Sequence, residues 1–91
     1  MQVYQRYHDP GHSWLRVRLT ELITLGISTE ISSYSYQRGE WAYLEEDCDM
    51  DVFVRACEAR GRKITIKDHV TNNSSRIRTF QPYTNVLTKS Q

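Results

Sequence analysis

Apolar and polar positions alternate with period two through residues 34–46. Tyr34 and Tyr36, then Trp41 and Tyr43, fall on one side, while Ser33, Ser35, Ala42 and Leu44 fall on the other. The polar run Gln37-Arg38-Gly39-Glu40 separates the two halves. Period-two aromatics around a glycine-containing turn predict a β-hairpin. The same alternation predicts a strand over residues 3–7, with Val3, Gln5 and Tyr7 opposite Tyr4 and Arg6. A return strand follows at residues 13–18, with Trp14 and Arg16 opposite Leu15 and Val17. His8-Asp9-Pro10-Gly11-His12 between them is turn chemistry: proline sets φ for the second turn position, and Gly11 is expected to supply a positive φ.

Elsewhere the apolar period changes to that of a helix. Leu19, Leu22 and Ile23 are spaced for a short helix that Gly26 stops, with Thr20 at its cap or in its first turn. Met50, Phe53, Val54 and Cys57, with Ala56 beside them, form the stripe of a longer helix over residues 50–60. Asp47 or Asp49 is expected to cap that helix, and Gly61 to close it. Residues 62–70 alternate again, with Ile64 and Ile66 inward. After a polar loop, Arg76-Ile77-Arg78-Thr79-Phe80 reads as a final short strand. The predicted order is ββαββαββ, an α+β fold with one mostly antiparallel sheet and two helices on one face. A single domain is expected over residues 1–83, with a mobile tail over residues 84–91.

Ninety-one residues of ordinary hydrophobic content exclude the composition of a disordered chain. No apolar run reaches the length of a signal peptide or a membrane span, so no membrane association and a cytoplasmic setting are expected. Cys48 and Cys57 are read as reduced thiols that pack as small hydrophobes. Charge is uneven: residues 1–49 carry four arginines against eight acids, and residues 50–91 carry eight basic residues against three acids. That asymmetry marks a bipolar surface if the two halves stay apart, and vanishes if they intermix in the fold.

Four constellations bear on chemistry. His8, Asp9 and His12 hold metal-ligating groups within five residues. Pro10-Gly11 forbids the helix that would align them, and a further ligand such as Asp47, Cys48 or His69 would have to come from afar. No metal site is therefore expected there. Glu45, Glu46, Asp47, Asp49 and Asp51 resemble a calcium loop only superficially, since the central glycine and distal glutamate are missing. They read as an acid-rich helix entry, or as a ledge that mimics phosphates toward a basic groove. Lys63, Lys67, Arg76 and Arg78 form a basic set that can track phosphates or hold a nucleotide, or is simply a solvated face. The aromatics Tyr34, Tyr36, Trp41 and Tyr43 are either core or a binding face, because tyrosine, tryptophan and arginine are enriched at interfaces. No nucleophile–base arrangement or phosphate-binding loop is present, so no enzymatic activity and no cofactor are expected.

His8-Asp9-Pro10-Gly11-His12-x-Trp14-Leu15, Tyr34-Ser35-Tyr36-x-Arg38-Gly39, Tyr43-Leu44-Glu45-Glu46-Asp47-Cys48-Asp49 and Ser75-Arg76-Ile77-Arg78 together resemble a group of small uncharacterised bacteriophage and prophage proteins. The resemblance spans most of residues 7–80 and implies a bacterial host cytoplasm. It also implies, at the level of class, a protein that inhibits or redirects a host protein, as anti-CRISPR proteins do. No functional residue is carried over from it. The leading expectation is a non-enzymatic binding protein that meets a host protein through Tyr34, Tyr36, Arg38, Trp41, Tyr43, Glu45, Glu46 and Asp47. The alternative is a nucleotide- or nucleic-acid-binding module using Lys63, Lys67, Arg76 and Arg78. An exposed edge strand also leaves a homodimer open.

Overall fold

The computed structural model describes residues 2–84. Strand β1 (Gln2–His8) turns back into β2 (Ser13–Arg18), which runs straight into helix α1 (Leu19–Thr24). The hairpin β3 (Tyr36–Arg38) and β4 (Trp41–Glu45) follows, then helix α2 (Met50–Ala59), strand β5 (Ile64–Val70) and the two-residue strand β6 (Gln81–Pro82). These form one six-stranded sheet in the order β5-β1-β2-β4-β3-β6. All neighbours are antiparallel except β1 and β5, which run parallel from Gln2↔Ile64 to His8↔Val70. The expected α+β class and the placement of helices on one face are both observed. No described helix is long and apolar enough to cross a membrane.

Alternation sorts the side chains as the sequence predicts. Tyr4, Leu15, Val17, Ala42 and Leu44 face the helices and meet Leu19 and Leu22 of α1 and Met50, Phe53 and Cys57 of α2. Phe53 lies edge-on to Tyr4 with ring centroids 5.2 Å apart. Each leucine, valine, methionine or phenylalanine among them, fully buried, contributes about 1.5–3 kcal/mol of transfer free energy. Ile23, expected in the stripe of α1, is exposed, and Leu25 just beyond the helix is buried in its place. Gly26 and Gly61 end the helical segments at positive φ, and Gly39 supplies the positive φ of the two-residue hairpin turn between β3 and β4.

Local serine bonds redirect the chain at two places, and two further residues depart from their expected local roles. Residues 32–35 turn instead of extending the hairpin: Tyr34 N–H donates to Ser32 Oγ at 3.2 Å and Ser35 N–H to the Ser32 carbonyl at 3.3 Å. Such serine bonds compete with strand pairing, so β3 begins only at Tyr36. Residues 76–79 form a 3-10 turn, not a strand. Ser75 Oγ accepts from Ile77 N–H at 3.1 Å and the Ser75 carbonyl from Arg78 N–H at 3.2 Å. Asp49 occupies the N-cap position of α2, but its carboxylate accepts from Ser32 and Ser35, not from the helix amides. Gly11 has no positive φ. A Cβ there would stand 2.7 Å from Arg78 Nη2, so a larger residue would require that guanidinium to shift.

Cys57 is buried as expected, whereas Cys48 is exposed and does not pack as a hydrophobe; both are free thiols. The charge asymmetry dissolves across the fold, since Arg6–Asp68, Arg62–Glu21 and Arg78–Asp9 each join one half of the chain to the other. Residues 85–91 of the expected tail lie outside the described residues. Thr84 is described, and its N–H donates to Gln37 Oε1 at 2.8 Å.

Candidate functional site

The sheet face turned away from the helices carries a second aromatic cluster. Trp14, Tyr43 and Ile77 are buried there, with Tyr7, Tyr36, Trp41 and Phe80 partly buried around them. Alternation places these rings together, but their cover comes from far along the chain. Residues 71–80 cross the face and lay Ile77 and Phe80 on it, with Phe80 5.1 Å from Tyr43 by ring centroids. The aromatic hairpin is therefore both core and surface. Tyr43 is 9 % exposed, while Tyr34, outside the strand, is 70 % exposed. Burial raises the Tyr43 hydroxyl above its ordinary range, and nearby Arg16 opposes the shift.

One buried carboxylate anchors this cover. The side chain of Asp9 is 1 % exposed and pairs with Arg78, from Nε to Oδ2 at 2.6 Å and from Nη2 to Oδ1 at 2.9 Å. It also accepts from Gly11 N–H, His12 N–H and Ser75 N–H. The Arg78 guanidinium, assisted by these amides, holds the Asp9 carboxyl far below the usual carboxylate range. His8, Asp9 and His12 thus point to separate tasks. His8 bonds Ser13 Oγ and Asp68, Asp9 binds the 75–78 segment, and His12 Nδ1 lies 3.1 Å from Glu45 Oε2. Asp68, held chiefly by Arg6 and then by His8, is likewise lowered below its usual range.

Two depressions open on the face. A cleft of about 590 Å³ lies between Tyr7 and Tyr43 on its floor and Asn73, Arg76 and Phe80 on its wall, with Arg38 at the side. A second, of about 300 Å³, is lined by His12, Trp14, Tyr34, Tyr36, Glu45, Asp47, Cys48 and Arg78. His12, Glu45 and Asp47 bring ligand atoms within 4.8 Å of one another there, the one such group found among the described residues.

The expected site residues consequently divide. Tyr34, Tyr36, Glu45 and Asp47 meet at the smaller pocket, and Arg38, Tyr43 and Arg76 at the larger cleft. Trp41 stands at the other end of the face with the guanidinium carbons of Arg16 and Arg18 at 4.1 and 4.4 Å from its ring centroid. Glu46 is exposed beyond β4. Glu45 does not belong to an open ledge: it is buried, with Oε1 accepting from Asp47 N–H and Cys48 N–H. Arg78 is committed to Asp9. Lys63 lies before β5, apart from Arg76, whereas Lys67 shares the strand face of His69, whose ring stacks on Tyr7 at 5.0 Å.

Sequence reasoning placed Arg16 on the face of Trp14 but counted neither Arg16 nor Arg18 among the site residues. The available signal was their period-two placement beside Trp14. Arg18 pairs with Glu40 at 3.0 Å. Arg16, Arg38, Lys67 and Arg76 have no carboxylate at ion-pairing distance among the described residues. Arg38 instead lies over Phe80 at 5.1 Å. No family model, curated protein or solved structure matches this chain.

Proposed function

We propose that this protein is a non-catalytic binding module whose docking surface is the helix-free face of the sheet, and that its ligand is single-stranded nucleic acid or a nucleotide. One observation carries the reading. Arg16, Arg38, Lys67 and Arg76 share that face with Tyr7, Trp41 and Phe80 and have no carboxylate partner among the described residues. Unpaired cations interleaved with aromatic rings suit a ligand with phosphates and π-faces. The larger cleft, lined by Tyr7, Tyr43 and Phe80, has the volume for a base, with Arg38 and Arg76 also in its lining.

Anisotropy of labelled oligo-dT and oligo-U, measured between about 50 and 200 mM salt, tests this reading. Affinity is expected to fall linearly on a log–log scale, by a slope of about 0.7 per phosphate contacted. Arg38→Ala and Arg76→Ala should each reduce that slope by about one contact. Trp41→Ala should cost about 1–3 kcal/mol through lost stacking. Absence of binding at the lowest salt, or binding indifferent to all three variants, overturns the proposal.

A second reading rests on a different observation. Exposed Tyr34 and Asp47 share the rim of the smaller pocket, a small patch suited to a protein partner. Together with the resemblance to phage proteins it supports an inhibitor of a host bacterial protein. A tagged pull-down from bacterial lysate should then retain one stoichiometric protein that Tyr34→Ala or Asp47→Lys releases. Equal retention by the variants rejects this reading.

A further inference from the structure

We infer that His12, Glu45 and Asp47 form a binding site for one zinc-class divalent cation in the smaller pocket. The site lies in the smaller pocket of the same face, outside the larger cleft, and does not depend on the nucleic-acid reading. Glu45 is the fixed member: its side chain is 8 % exposed, and Asp47 N–H and Cys48 N–H hold Oε1 at 3.0 and 3.1 Å. Its second oxygen, Oε2, is left facing His12 Nδ1 at 3.1 Å. Two ligands of a tetrahedral ion with bonds of about 2.0–2.1 Å stand about 3.3 Å apart, so this pair needs little movement to share a cation. Asp47, in the turn that Glu45 organises, brings the third ligand atom within 4.8 Å of both.

The donor set selects the ion. One imidazole and two carboxylates suit zinc and its borderline neighbours, whereas calcium and magnesium require an all-oxygen shell of higher coordination number. Cys48 lines the same pocket outside this group, and water can complete the shell. Trp14, 1 % exposed, forms part of the pocket wall, and its Nε1 is the one buried side-chain polar atom without a hydrogen-bond partner among the described residues. That indole N–H is an unmet donor within a residue of the pocket wall.

Isothermal titration of the chelator-stripped full chain with zinc chloride tests the assignment. One ion per chain is expected. His12→Gln and Asp47→Asn should each weaken its binding at least tenfold, with the far-ultraviolet dichroism of the folded protein retained. His8→Gln, which alters an imidazole bonded to Ser13 and Asp68 outside the pocket, should leave the affinity unchanged. Glu45→Gln is a weaker probe, because its carboxylate also holds the turn. Absence of zinc binding, or equal weakening by His8→Gln and His12→Gln, overturns the inference in favour of adventitious surface histidine binding.

Discussion

Asp9→Ala is expected to destabilise the protein by about 3 kcal/mol in urea denaturation and to release residues 74–80 from the aromatic face. Removing one partner of a buried ion pair typically costs about 3–5 kcal/mol, and the lower end applies because Arg78 is about one-third exposed. The loss also strands the N–H groups of Gly11, His12 and Ser75, all of which donate to this carboxylate. Asp9→Asn separates charge from shape, since the amide keeps an acceptor but cannot match the guanidinium. The pH dependence follows from the lowered folded-state carboxyl. Above the ordinary aspartate value of about 3.9 the carboxylate is ionised in both folded and unfolded chains, and its stabilisation is fully present. Below that value the unfolded chain takes up the proton first, and stability falls with pH. Wild type should therefore lose more stability than Asp9→Asn between about pH 5 and 2. Equal acid slopes would show that Asp9 does not pin the cover.

Asp49→Ala is expected to cost about 3–4 kcal/mol, comparable to a large core truncation, although the residue is charged and lies at a helix start. The side chain is 2 % exposed and accepts from Ser32 N–H at 3.0 Å, Ser32 Oγ at 2.7 Å and Ser35 Oγ. Ser35 Oγ in turn accepts from Glu45 N–H at 2.8 Å. A relay of three residues thus ties the loop before β3 to the end of β4 and to the first turn of α2. Without the carboxylate, fully buried Ser35 keeps a hydroxyl proton with no acceptor. A capping aspartate on an exposed helix would cost only about 1 kcal/mol on the same substitution. Thermal or urea unfolding of Asp49→Ala beside Ser35→Ala decides between the two roles. A loss near 1 kcal/mol would reduce Asp49 to a helix-start residue.

Both residues show where sequence reading stops. Asp9 reads as a turn residue, and it is one, since Gly11 and His12 donate to it two and three residues away. Its ion pair with Arg78 spans 69 positions, and no local pattern announces it. Gly11 looks like a positive-φ glycine, yet its φ is not positive, and its lack of a side chain instead leaves room beside the guanidinium of that same arginine. The acids after β4 look like one ledge. The fold separates them, turning Glu45 and Asp49 inward and leaving Glu46 and Asp47 exposed. His8 and His12 look like a pair, but β1 and β2 send them to Asp68 and Glu45 respectively.

The alternation of Leu15 and Val17 against Trp14 and Arg16, and of Ala42 and Leu44 against Trp41 and Tyr43, determined by itself the strands and their two faces, but not which face the helices cover. A pleated strand sends successive side chains to opposite sides, so composition along one strand is enough to sort them. Only the tertiary structure decided what covers the aromatic face and which charges remain unpaired on it. β5 docks parallel to β1, the segment after it is carried back over Tyr43, and Arg78 reaches Asp9. Those contacts join residues far apart in sequence, where chain connectivity constrains nothing and the free energy of burying and pairing groups selects the partner.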